Sequence, residues 1–495
     1  MDSGSILRLS LRTGPDRQIK MKNYSEELKI KLLLWIAAAA MFMQMLDGSV
    51  LNTALPSIAK SFGENPLQMQ AAVISYLLSV AIFLPLSGWL SDRFGVKKVF
   101  LFAIAGFTFG SFLCALSGSL FTLSVSRVLQ GMGGAFLVPV GRLAVLKVYP
   151  RSQYVNVLSF MVLPALIGPL IGPVLGGFLV QYASWHWIFL INIPVGVCCF
   201  FAAAYLMPHI ERESNVASFD FKGFFIFDFA LLLLFAVGSS RSILSGFSNN
   251  WFLLFALIFV CVYVIYARKK QDALFNLEMF KIPSFSLGIA GNLIIRLVGG
   301  ALPYLAPLFF QTALGFSPSK AGATLIPMGL TAIFAKTFAA KLILKLGYKK
   351  FLISNTIILS VFIMMLAFVK ISTPYYLIII LFAFIGMANS LQFTAINTLA
   401  LIDVPNKFMS GANNVLSVSF QVSMSLGVAL AAVLVEKTPF LMKSFAIVSL
   451  NTGISLLYSF HITYIIIGLL SISGSLIFIF IPKNAGNNVK ETDVY

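Results

Sequence analysis

Runs of about twenty apolar residues recur along almost the whole chain, each long enough to cross roughly 30 Å of hydrocarbon as a helix. Lipid tails offer the backbone no hydrogen bonds, so runs of this kind must satisfy their own amides and carbonyls as helices. Barrel strands would alternate with period two, and these segments do not. Only 11% of the 495 residues are charged and 59% are hydrophobic, whereas a soluble domain carries roughly a quarter charged. The expected fold class is an all-α membrane protein embedded in a lipid bilayer.

The pattern predicts about fourteen transmembrane helices, over 31–57, 69–91, 99–118, 121–146, 154–182, 187–208, 222–240, 250–267, 284–312, 320–342, 350–370, 374–396, 408–435 and 461–482. The moderately apolar stretch 438–459 holds Lys443, Asn451 and Gly453 and reads as a surface loop. Residues 1–20 are polar and basic, and Met21 opens a segment that looks like an ordinary cytoplasmic start, so either Met1 or Met21 fits as the first residue. A secretory signal is not expected, because no apolar core follows the early charges before the first full span.

The net charge of +18 would suggest nucleic acid in a soluble protein. Here the bases sit between spans, and loop charges of that kind set orientation instead, so no nucleic-acid partner is expected. With the N-terminus inside, about 25 of the 35 Lys and Arg fall on the cytoplasmic side and about 6 opposite. Both termini are therefore expected in the cytoplasm, with the chain multi-pass in a bacterial inner membrane. Cys114, Cys198, Cys199 and Cys261 all lie in apolar runs, without metal-ligand or disulfide spacing, and read as small core residues. His186, His209 and His461 are scattered at span ends, so no metal site and no cofactor are expected. No polar run is long enough for a folded soluble domain, which argues against a loop-borne enzyme site, and no phosphate-binding glycine loop supports ATP-driven pumping.

Four patches carry mechanism. The loop after the second span reads Gly88-Trp-Leu-Ser-Asp92-Arg93-Phe-Gly95-Val-Lys97-Lys98. Glycines there permit close helix approach and a tight turn, and the acid and bases suit a breakable ion-pair gate, although a plain orienting loop shares the charges. The fourth span holds Arg127 and Gln130 beside Gly131, Gly133 and Gly134. A buried arginine there costs at least ~2.5–3.5 kcal/mol, so it is kept for a partner or a cavity. The fifth span carries Gly168-Pro169-Leu-Ile-Gly172-Pro173-Val-Leu-Gly176-Gly177, where glycines four apart give a close interface and prolines bend the helix. The first span places Asp47 near its middle and Asn52 beyond it. An acid there is a candidate proton carrier, or a hydrogen-bonding partner for a neighbouring helix.

Together these patches, with Trp185-His186-Trp187 to Asn192-Ile-Pro194, resemble the major facilitator superfamily, and within it the fourteen-span drug:proton antiporters of the EmrB/QacA type. The resemblance implies a six-helix bundle over 31–208, two inserted helices over 222–267 and a second six-helix bundle over 284–482, flanked by cytoplasmic tails 1–30 and 483–495. It also implies alternating access, with the fifth-span run as the exporter's antiporter motif sealing against proton leak. Val96 departs from the loop pattern, and the second-half counterpart Gly347-Tyr-Lys349-Lys350 lacks its acid.

Proton coupling is expected at Asp47 and Arg127. Apart from Asp47, the other acid well inside a span is Asp228, which lies in an inserted helix outside the expected cavity and reads as structural. Arg142 and Lys336 sit near span ends, where each can snorkel. The cavity then holds one acid against Arg127, Arg296 and Lys336. That surplus of bases suits an organic anion or zwitterion such as a carboxylate metabolite or chelator. The 48 phenylalanines suit broad drug efflux equally well. Substrate-binding candidates are Arg296, Lys336, Gln130 and Asn52. The expectation is a monomeric, proton-coupled small-molecule exporter; a nutrient or siderophore importer of the same fold is the alternative, ahead of a membrane-embedded enzyme.

Overall fold

The computed structural model describes residues 15–150, 153–208, 218–238, 249–270, 273–444 and 452–482. Within them the chain is almost entirely helical. Twelve helical segments among the described residues are long and apolar enough to cross a membrane. Two further apolar helices, α6 (Tyr154–Tyr182) and α9 (Phe221–Gly238), accompany them.

The long first helix α1 (Pro15–Phe62) packs along α6 and against α5 (Leu120–Val148) and α8 (Asn192–Leu206). Beside them lie α2 (Gln70–Phe83), the short α3 (Leu86–Phe94), α4 (Val96–Ala115) and the single turn α7 (Trp187–Leu190). The connection between α3 and α4 is Gly95, whose φ of 91° lies where a side chain is strained. Gly347, with φ 72°, makes the matching turn between α13 (Ile326–Leu346) and α14 (Tyr348–Met365). In the second half α11 (Pro283–Thr312) packs on α16 (Met409–Ser444), α13 on α15 (Tyr375–Ile402), and α14 on α17 (Thr452–Ser475). α12 (Pro318–Ala323) caps the end of α6. α9 pairs with α10 (Asn249–Lys269) and touches α16 and α2.

Residues from opposite halves of the sequence meet at one end of this assembly. Gln311 donates to the Thr53 carbonyl at 2.9 Å, Tyr304 to the Leu67 carbonyl at 3.2 Å, and Ser319 to the Gly177 carbonyl at 3.2 Å. That end is closed by backbone as well as side chains.

Several expectations need correction. The stretch 438–459 is not a surface loop: α16 runs on to Ser444 and α17 begins at Thr452, leaving 445–451 outside the described residues. The second span divides at Pro85 into α2 and α3, since a proline ring removes a backbone donor and interrupts the ladder. Cys114 and Cys199 are buried, but Cys198 and Cys261 are exposed on the helix surfaces and are not core residues. The 483–495 tail, the first fourteen residues, and Arg151, His209, Arg212 and Arg241 lie outside the described residues.

Candidate functional site

Asp47 and Arg127 come together in the interior of the first half of the chain. The Arg127 guanidinium donates to one Asp47 oxygen at 2.6 Å, with both side chains buried. The other Asp47 oxygen accepts from the Gln130 amide at 2.8 Å and the Asn192 amide at 2.9 Å. Arg127 is further held by Gln130 Oε1 at 2.6 Å, the Ala72 carbonyl at 3.3 Å and the Tyr76 ring, whose centroid lies 4.1 Å from the guanidinium carbon. Ser111 accepts from Gln130 at 2.7 Å and from Asn192 at 3.4 Å. Five elements thus supply one closed polar cluster: α1, α2, α4, α5 and α8. It answers the cost of buried charge with pairing on every face.

The cluster forms because α5 lets its neighbours come close. A Cβ at Gly131 would lie 2.8 Å from Ser79 Cβ on α2, and at Gly133 2.8 Å from the Gly106 backbone carbon on α4. Glycine at Gly110 of α4 likewise leaves room for Gln130 itself. Gln130, a substrate-binding candidate from sequence, is fully buried here and bound to Asp47, Arg127 and Ser111. Asn192, Ser111 and Tyr76 were missing from the sequence-based set. The Asn192-Ile-Pro194 pattern was the one signal that pointed toward any of them.

The glycine run of α6 faces two ways. Gly168, Gly172 and Gly176 lie against α1, where added Cβ atoms would run into Met45 and Leu46, Ser49, and Val50 and Thr53 respectively. Those residues bracket Asp47. Ser49 donates to the Gly168 carbonyl at 3.2 Å across the same contact. Gly177 lies against α12, with a Cβ placed 2.8 Å from the Pro318 carbonyl carbon and 3.0 Å from Ser319 Cα. Pro173 presents its carbonyl to Gly322. One helix is therefore pressed onto the backbone around Asp47 on one face and onto the second half of the chain on the other.

In the loop motif, Asp92 lies 3.9 Å from Lys147 of α5, Lys97 donates to the Met207 carbonyl at 2.8 Å, and the Arg93 guanidinium lies 5.7 Å from the Trp89 ring centroid. Lys98 is exposed. Gly88 does not mediate a close approach: it is exposed and an added Cβ would meet nothing.

Arg296 is buried in α11, with Nε donating to Asn292 Oδ1 at 3.4 Å and one terminal nitrogen lacking a hydrogen-bond partner among the described residues. Its guanidinium carbon stands 4.0 Å from the Phe393 centroid and 5.1 Å from that of Phe420. The Lys336 ammonium lies 5.9 Å from the same Phe393 ring. The two bases therefore share one aromatic plate contributed by α15. Asn52 is buried with its carbonyl oxygen unpaired among the described residues, and Arg142 is exposed. Among the described residues no cluster of His, Cys, Asp or Glu suits a metal.

A bundle of membrane-length helices surrounding a buried ion pair, with glycine seams between its halves, belongs to the secondary transporters. The profile of the Major Facilitator Superfamily matches residues 37–428 and 288–493, and the chain belongs to that family. It is 45% identical over 403 residues to a Salmonella heidelberg protein provisionally named multidrug resistance protein MdtD, covering 81% of this chain and 85% of the relative. A Pectobacterium atrosepticum protein of the same name is 43% identical over 412 residues, covering 83% and 88%. Among solved structures, a D-xylose-proton symporter superposes with a TM-score of 0.67 at 16% identity, covering 92% of this chain and 99% of the other. A POT family peptide transporter superposes with a TM-score of 0.67 at 14% identity, covering 92% and 97%. These two superpositions speak to the fold alone. The chain is a multi-pass membrane transporter and not an enzyme.

Proposed function

We propose that this chain is a proton-coupled antiporter that exports small molecules across the bacterial inner membrane, and that it belongs to the fourteen-span branch of the family. α6 and α9 complete the fourteen spans. They divide into a six-helix bundle over 31–208, the inserted pair over 222–267 and a second bundle over 284–482, with both termini cytoplasmic, acting as a monomer. The observation that carries the reading is the buried Asp47–Arg127 pair anchored on α1, the helix whose Met45, Leu46, Ser49 and Val50 meet the glycine face of α6. A proton arriving from outside converts the Asp47 carboxylate to the acid and removes the counter-charge of Arg127. α1 is then free to shift against α6, whose other face seals the outer end through Gly177 and Pro318. Substrate leaves as the proton enters, by rocking of the halves about the site. The names carried by the relatives and the two-sided glycine seam support export over import.

Arg296, with one nitrogen unpaired, and Lys336 on the same ring form the substrate-facing site and favour an organic anion such as a carboxylate. A broader drug range is the second reading, supported by the Phe393 and Phe420 rings. Proteoliposomes screened for substrate-induced proton release, with organic anions against lipophilic cations, separate the two. Asp47→Asn is expected to bind substrate yet fail to respond to an imposed proton gradient, and a retained response refutes the coupling role. Arg296→Ala is expected to lower anion transport tenfold or more; unchanged anion transport refutes the anion site.

A further inference from the structure

Two acids, one just before α9 and one within it, stand in opposite circumstances. Asp220, the first of them, accepts from the Gly223 amide at 3.1 Å, the Tyr266 hydroxyl at 2.6 Å, the Lys270 ammonium at 2.8 Å and the Leu274 amide at 2.9 Å. Asp228 is two turns further on, about 12 Å along the axis at 1.5 Å per residue. It is 6% exposed, and neither carboxylate oxygen has a hydrogen-bond partner among the described residues. It continues the buried stripe of Phe224, Leu231 and Phe235. The apolar cluster on this face joins Leu231 to Ala81 of α2, Val418 and Val422 of α16, and Tyr263 of α10. An ionised carboxylate without donors in such surroundings is not sustainable; the group takes up a proton instead.

The charged and titratable groups of the neighbouring elements are bound elsewhere, distant or exposed. On α10, the Tyr263 hydroxyl accepts from the Phe275 amide, and Tyr266 and Lys270 are bound to Asp220. Arg268 and Lys269 stand in the last turn of α10. On α2, Tyr76 lies beneath Arg127. Along α16, Glu436 and Lys437 are roughly 20 Å beyond Val422 at the same rise per residue, and Lys407 at its start lies over Phe408. On α9 itself Lys222 is exposed.

We propose that Asp228 is a second proton-binding site, placed over the seam between the halves where α2 of the first packs against α16 of the second. The inference rests on the two-bundle, proton-coupled reading given above. In the arrangement seen here the carboxyl is the neutral acid, sealed under apolar side chains. When the seam opens, water reaches it, the O–H bond breaks, and the proton leaves to solvent as the carboxylate forms. Rocking of the halves thereby moves a proton independently of the one on Asp47, and gives the inserted helices a role beyond linkage.

The test is infrared difference spectroscopy of the full-length protein in nanodiscs, taken from acidic to alkaline pH without substrate. The wild type is expected to show the carbonyl stretch of a buried protonated carboxyl group that disappears as pH rises. Asp228→Asn is expected to lose this band, Asp47→Asn to keep it, and Asp228→Glu to show a displaced band that still titrates. A band that survives Asp228→Asn, one that never titrates in the wild type, or its absence from Asp228→Glu overturns the proposal. Failure of the Asp47 coupling role appears in gradient-driven transport and leaves these spectra unchanged, so the two are distinguishable.

Discussion

Replacing Arg127 by Met leaves the Asp47 carboxylate with the amides of Gln130 and Asn192 at 2.8 and 2.9 Å and no opposite charge. Breaking a buried pair from one side costs about 3–5 kcal/mol, because a desolvated charge remains. Asp47→Asn strands the arginine instead. That residue keeps Gln130 Oε1, the Ala72 carbonyl and the Tyr76 ring at 4.1 Å. A desolvated cation–π contact contributes roughly 2 kcal/mol, so this single change is expected to cost less, about 2–3 kcal/mol. The double variant Asp47→Asn/Arg127→Met removes both charges and should return to within about 1–2 kcal/mol of wild type. The double-mutant cycle then reports a coupling energy of at least about 3 kcal/mol. Equilibrium unfolding in mixed micelles of mild detergent and dodecyl sulfate measures all four corners. The double variant should nonetheless be inert in proton-driven transport, which separates the structural value of the pair from its use. Costs that simply add in the double variant, or a coupling below about 1 kcal/mol, would refute the account of the cluster as a mutually dependent pair.

Two further predictions concern the seam and the inserted helices. Gly177→Ala places a methyl 2.8 Å from the Pro318 carbonyl carbon, where both sides are backbone and cannot swing away. The expected result is at least tenfold slower transport with folding preserved, and weaker disulfide cross-linking between cysteines at Thr53 and Gln311, which now lie across the closed end. Burial works to raise the Asp220 carboxyl, but hydrogen bonds from Lys270, Tyr266 and the Gly223 and Leu274 amides outweigh it and hold it below the ordinary carboxylate range. A depressed folded value contributes stability above the unfolded carboxyl pKa of about 3.9, and that contribution is lost as pH falls through the folded one. Acid unfolding of wild type and Asp220→Asn should therefore converge at low pH and diverge toward neutrality, with wild type the more stable; parallel curves would refute the assignment.

Hydropathy and buried charge made much of this protein legible in one dimension. The apolar runs forced helices because lipid cannot solvate a backbone, and Asp47 and Arg127 stood out because neither is tolerated alone at such a depth. The α6 glycines announced close packing by their four-residue spacing. What they pack against was not local information. Asp47 meets Arg127 across 80 residues of chain and Asn192 across 145, and no periodicity encodes either meeting. Gln130 looked like cavity lining because a polar side chain near an arginine suits either role; only the approach of α4 through Gly110 closes it in. Gly88 looked like a contact and faces open space, since the helix azimuth that decides this depends on its neighbours. The difference between Asp220 and Asp228 is of the same kind. Sequence alone marked Asp228 as an acid set into an apolar inserted helix, while the tertiary structure decided that Asp220 meets donors across some 50 residues of chain and that Asp228 meets none among the described residues.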